Sequence, residues 1–215
     1  MNLAPPPSRP PAPRSPLTAR MRLLPILLVA SAVVAHAQGT DGHHDHPAAP
    51  APADAAPPKP EQFIRLGDDG KRVKLVLVSA WNGANYGMNF DGFAKGGAKL
   101  VVPVGTEVEV TFTNRSPVPH SVIVVERPMV KRLQMGDPAF EGASTPSPVR
   151  GTTGSKGEVF QFKASEAGDY AFACGFPSHA ANGHWIAFEV SASAKAASLQ
   201  FGTEPAYTPK AGGKP

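Results

Sequence analysis

Glu107-Val-Glu-Val-Thr-Phe-Thr113 carries an apolar residue at every second position. In an extended chain this places Val108, Val110 and Phe112 on one face and the acids and threonines on the other, the pattern of a half-buried strand. Upstream, Val73-Lys-Leu-Val-Leu-Val78 is apolar and β-branched, and Leu100-Val-Val102 is a shorter run of the same kind. Downstream come Ser121 to Glu126, Glu158-Val-Phe-Gln-Phe162, Asp169-Tyr-Ala-Phe-Ala-Cys174 and Trp185-Ile-Ala-Phe-Glu-Val190. Turn residues separate them, among them Pro103-Val-Gly105, Asn114 to Pro119 and Ala167-Gly-Asp169. Seven or so strands at this spacing predict an all-β sandwich. Sustained helical periodicity is absent, although Pro128 to Gly142 has room for a turn of helix.

On either side of this body the composition changes. Fourteen of the 25 prolines lie in the first 60 of the 215 residues, so an Ala/Pro-rich arm precedes a more ordinary domain. Within the arm, Met21-Arg22 leads into the apolar run Leu23 to Val34, followed by Ala35-His36-Ala37, a small-x-small cleavage pattern. Residues 1–37 read as an export signal, with Met21 a better start than Met1. The run is too short for the roughly 20 residues of a membrane-spanning helix. Four of the 21 basic residues, Arg9, Arg14, Arg20 and Arg22, precede residue 38, and no acid does. Cleavage would leave 17 basic residues against 17 acidic ones, which removes the electrostatic footprint of a nucleic-acid binder. Residues 38–60 are too poor in large apolar side chains to offset their ordering entropy and read as a linker. They contain Asp41-Gly-His-His-Asp-His46, in which His43, His44 and His46 form either a loose metal site or a solvated polar patch. The ordered domain is expected over residues 61–192, with a flexible tail over 193–215.

An exported chain with one cysteine makes no internal disulfide, and the oxidising side of a membrane endangers a free thiol. Cys174 is therefore either a buried small hydrophobe or a metal-bound or catalytic thiolate. Its neighbours favour the metal. His120 opens one strand, Cys174 closes another, His179 follows in a loop, and His184 precedes the last strand. Two imidazoles and a thiolate are the donor set of electron-transfer copper centres. A Cys-His hydrolase is disfavoured because no oxyanion arrangement is identifiable. By strand alternation Tyr170 and Phe172 share the face of Cys174 and read as core.

Val102-Pro-Val-Gly-Thr106, Asn114 ahead of Pro119-His120-Ser121, Gly168-Asp-Tyr170 and Cys174-x4-His179-x4-His184 together resemble a cupredoxin. Gly87-Met-Asn-Phe90 and the Trp185 that follows the last ligand position bring the chain nearest to the sulfocyanins, over about residues 73–191. The resemblance implies a cupredoxin-like Greek-key β-sandwich of seven to eight strands. It implies one copper ion, cycling between Cu(I) and Cu(II), held by His120, Cys174 and His179. It also implies a one-electron carrier that is no enzyme, a monomer that docks redox partner proteins through a small apolar patch near His179; the export signal without a membrane span places it in the periplasm or another extracytoplasmic space. Phe176, Pro177 and Ala180 would surround that histidine, Ser121 would tie the ligand loops together, and the amides near Ser121 and Phe176 would point at the thiolate.

At the axial position the family has Met and this chain has His184. An imidazole is a far stronger donor than a distant thioether, so ligation by His184 predicts a tetragonal, greenish centre of lower potential, from which acid near pH 6.5 would detach it. The alternative is an outer-lying His184, with the carbonyl of Pro119 as the weak axial contact. Met88, Met129 and Met135 lie away from the family's axial position and read as packing residues. Two other functions remain open: a copper enzyme or small-molecule sensor with a type 2-like or red site, and copper storage or delivery aided by the histidine-rich arm.

Overall fold

The computed structural model describes residues 57–154 and 157–211. The export signal, the histidines at 43, 44 and 46 and most of the linker lie outside them. The described residues form nine strands: β1 (Ile64–Leu66), β2 (Val73–Ser79), β3 (Ala98–Pro103), β4 (Thr106–Asn114), β5 (Ile123–Glu126), β6 (Glu158–Ala164), β7 (Gly168–Ala173), β8 (Trp185–Ser191) and β9 (Ser198–Phe201). One sheet has the order β1-β2-β4-β6 and the other β5-β7-β8-β3-β9. Each holds one parallel pair, β2 with β4 and β3 with β8, and its other pairs are antiparallel. β2, β3 and β4 alternate between the sheets, so the chain crosses the sandwich twice before β5.

The alternation in β4 survives in the fold. Val108, Val110 and Phe112 are buried, and Asn114 continues the same face to the end of the strand. On the opposite face Glu109 lies 3.7 Å from both Arg72 and Lys74. Phe90, Phe112, Phe162, Phe172 and Phe188 fill the space between the sheets with Leu75, Leu77 and Leu100. Val122–Val125 is buried on both faces, which explains why that stretch is apolar without alternation. The first part of the long connection after β5 covers the outside of β5 and β7. Val130 and Met135 there cover Ile123, Val125, Ala171 and Ala173, with Met129 packed against them. The expected helical turn is a short 3-10 segment, Arg127–Lys131.

Two strands exceed the expected number. β1 has three residues, too few for a periodicity to show. β9 lies where a flexible tail was expected from residue 193, and it pairs antiparallel with β3 while burying Leu199 and Phe201. Two apolar side chains among serine, glutamine and alanine are a weak signal, yet they seal the open edge of the second sheet. Among the described residues no helix is long and apolar enough to cross a membrane.

Candidate metal centre

β2 and β4 run parallel, and both end at the same pole, where β8 and β3 begin. The loops gathered there bring His120, Cys174, His179 and His184 together, with one donor atom from each within 4.8 Å of the others. β7 ends at Ala173, so Cys174 is the first loop residue. The loop from Cys174 to His184 is closed on itself: the Cys174 amide donates to the His184 carbonyl (2.9 Å), and the His184 amide to that of His179 (3.0 Å). His120 is fixed from another direction by reciprocal backbone hydrogen bonds with Thr152, of 3.0 and 2.8 Å. Asn114 donates to the carbonyls of Val118 and Thr152 and so holds the loop carrying His120 to the end of β4. Gly151 is required there. Its φ is +65°, and a Cβ would lie 2.8–3.0 Å from the His120 backbone.

Nδ1 of His120 lies 3.2 Å from Nδ1 of His179, and the Cys174 sulfur lies 3.9 and 3.5 Å from these two nitrogens. Burial, followed by the neighbouring His179, pushes His120 down to about 4, and burial lowers His179 as well. At neutral pH both rings are therefore neutral. Donors this close bridge an ion bound at about 2.0–2.3 Å, the usual range for nitrogen and sulfur on a first-row metal such as zinc.

His184 supplies the decisive detail. It is fully buried, with the Phe90 ring 4.3 Å from its own and the His120 ring 4.7 Å away. Its Nε2 lies 3.1 Å from the Asn89 carbonyl and 3.2 Å from the Ser79 hydroxyl oxygen. A carbonyl only accepts, so Nε2 carries the proton and donates. Nδ1 is then an unprotonated, buried nitrogen, and it has no hydrogen-bond partner. Burial first, then the two other imidazoles, hold His184 well below the usual histidine range. Detachment by acid near pH 6.5, expected from an ordinary histidine, is thus displaced to much lower pH. A buried lone pair beside two imidazoles and a thiol is what a metal ion would satisfy.

Ser79 and Asn89 were not anticipated as part of this site. The Asn89 side chain is fully used: it donates to the carbonyls of Asn82 and Ala84 and accepts from the amides of Trp81 and Gly92. It thereby folds the loop that aims its own carbonyl at His184. Asp91 pins the same loop to β2 by accepting from the Val78 amide at 2.7 Å, and burial raises its carboxyl well above the usual range.

Ser121 is fully buried; its hydroxyl donates to the Pro148 carbonyl (2.7 Å) and accepts from the Gly175 amide (2.9 Å), joining three loops. With its proton committed to Pro148, its 3.9 Å contact with the Cys174 sulfur is no donation. Burial raises the Cys174 thiol, opposed by the backbone amides of Ser121 and Phe176. Phe176 packs with its ring 4.7 Å from that of His179, and half-buried Pro119 leads into His120. Tyr170 and Phe172 lie in the core with Cys174. Met135 and Met129 pack on the outer face of the second sheet, and Met88 is half-buried in the loop before Asn89. Of the three histidines, His179 alone is partly open to solvent.

Comparison with known proteins identifies the family of the chain. Residues 63–198 match the family model described as the sulfocyanin (SoxE) domain. Sulfocyanin of Sulfolobus acidocaldarius is 27% identical over 128 residues, covering 56% of this chain and 64% of that relative, a little under two thirds of its length. Among solved structures, rusticyanin from Thiobacillus ferrooxidans is 23% identical with a TM-score of 0.43, covering 58% of this chain and 83% of that one. Auracyanin from Roseiflexus castenholzii is 22% identical with a TM-score of 0.40, covering 55% and 96%. With its matched region spanning most of the sandwich and the whole of the His–Cys–His–His cluster, the chain belongs to the sulfocyanin family of copper-binding cupredoxins.

Proposed function

We propose that the protein is an extracytoplasmic one-electron carrier in which His120, Cys174, His179 and His184 together hold a single copper ion. The observation that carries this reading is the unpartnered, buried Nδ1 of His184 facing three other donors. Copper supplies one-electron chemistry when bound, and the protein's part is to keep the donors in place in both oxidation states. The doubly pinned loop from Cys174 to His184 and the hydrogen bonds on His120 do this without requiring movement. Three of the four residues that would hold copper are buried and the fourth is half-buried, which supports a carrier over an enzyme with an open site. The half-buried His179 offers the exit for the electron, at a surface where redox partners dock transiently.

His184→Met tests the fourth ligand. Replacing a strong nitrogen donor by a weak thioether is expected to shift the visible spectrum and paramagnetic resonance towards a trigonal centre and to raise the potential. Unchanged spectra and potential would remove His184 from the ligand set and leave the Pro119 carbonyl as the axial contact. Azide added to the oxidised protein is expected to change nothing; an azide-dependent spectrum would favour an enzyme or sensor with an open position.

A further inference from the structure

The loops at the copper pole present an unbalanced charge. Lys95, Arg115, Arg132 and Arg150 are all exposed there, and none takes part in an ion pair among the described residues. Each is tied to the site. The Lys95 amide donates to the Gly183 carbonyl and its side chain crosses that glycine, while Arg150 precedes the Gly151 packed on His120. Arg115 follows β4 and stacks over Trp81 at 4.2 Å, and Arg132 adjoins Leu133, whose carbonyl accepts from Ser178. In residues 80–97, 114–121, 131–136, 144–154 and 174–184 the one acid is Asp91, which is buried. A chain whose acids and bases balance beyond residue 37 therefore shows one positive face.

The same loops carry four of the six large hydrophobic residues that are exposed among the described residues. Tyr86 is 96% exposed, Leu133 68%, Val118 48% and Val149 42%. Asn85, beside Tyr86, donates to the Asn182 carbonyl in the ligand loop. Asn85 and Tyr86 both have left-handed backbones, with φ of 50° and 58°, so an aromatic ring is held outward at a conformational cost. Exposed apolar side chains interspersed with cations that make no ion pair among the described residues are one half of a complementary interface.

We propose that this pole docks an electron-transfer protein whose contact surface carries carboxylates among apolar side chains. A protein is favoured over an anionic membrane because, apart from the adjacent exposed pair Lys131 and Arg132, the cations are spaced singly around the pole, short of the clusters of about four or more lysines and arginines that bind lipid headgroups. The redox purpose of this docking rests on the carrier reading above, but the surface itself needs no copper.

The test uses the full-length 15N-labelled protein, copper-free and Cu(I)-loaded, with hexacyanochromate(III), a redox-inert paramagnetic trianion. At low ionic strength the amides of Val118, Leu133, Arg150 and Ser178 should broaden in both forms, and the effect should fade at 0.2 M salt. A K95E/R132E/R150E variant should bind the anion about tenfold more weakly. A K71E/K195E control, altered at the opposite end of the sandwich, should bind like the parent. Cytochrome b5, an acidic haem protein, should perturb the same amides, and basic cytochrome c should not. Broadening centred away from the pole, an unaffected triple variant, or equal response to both haem proteins would overturn the proposal. So would binding to phosphatidylglycerol vesicles without response to cytochrome b5, which would assign the pole to a membrane. Failure of the copper reading would appear separately, as a copper-free map that persists in a protein that does not take up the metal.

Discussion

A thiol buried to 0% exposure is an inert packing group unless something nearby takes its proton's place, and three neutral imidazole nitrogens beside Cys174 make that place a candidate metal site. Cys174→Ser should fold, because the hydroxyl is smaller, but it should lose the intense visible thiolate-to-copper absorption; retention of that band would show that the sulfur is not a ligand. Acid supplies a second prediction, for the copper-free protein. His120 is held at about 4 when folded and titrates near 6.5 when unfolded, so as pH falls the unfolded chain takes up the proton first. Stability is complete above about pH 6.5 and declines towards pH 4, by about 3 kcal/mol from this residue alone. Urea titrations across that range should show the loss, and copper should suppress it, since metal and proton compete for the same nitrogen. The four clustered side chains were legible in the sequence because cysteine and histidine are rare and their chemistry is narrow. Ser79 and Asn89 were not, because they are common residues lying 105 and 95 positions from His184, and Asn89 acts through its backbone carbonyl.

Strands were legible in proportion to their length and one-sidedness. β4 shows full alternation because one face packs and the other meets water, and β2, β6, β7 and β8 fall within a residue or two of their expected ranges. β9 was misread as tail because four residues cannot establish a period. Phe201 nevertheless lies 5.6 Å from Phe63 and 4.5 Å from Phe93, ring centre to ring centre. Phe201→Ala should therefore destabilise the protein by about 3–5 kcal/mol in chemical denaturation; a cost below about 1 kcal/mol would return the segment to the status of a frayed end. In the loop from Ala80 to Gly92, Asn89→Ala removes four hydrogen bonds at once and should cost about 2–4 kcal/mol. It should also disturb the copper spectrum, because the carbonyl that orients His184 moves with the loop, whereas Phe201→Ala should leave the spectrum unchanged.

At the scale of the whole molecule, the two sheets provide a rigid body, and parallel pairing places several strand ends at one pole. Four candidate ligands from two loops, His120 between β4 and β5 and the other three between β7 and β8, converge there, and the pole also bears the exposed basic and apolar side chains. The sandwich was legible in the sequence, whereas the basic character of the pole was not, because overall charge balance conceals how charge is distributed once the loops are gathered. Crystals of the copper-loaded protein, measured with anomalous scattering at the copper edge, examine the centre of this account most directly. A single peak is predicted within bonding distance of the Cys174 sulfur and of Nδ1 of His120, His179 and His184. A peak elsewhere, or a copper ion there that is not bonded to the thiolate, would contradict it.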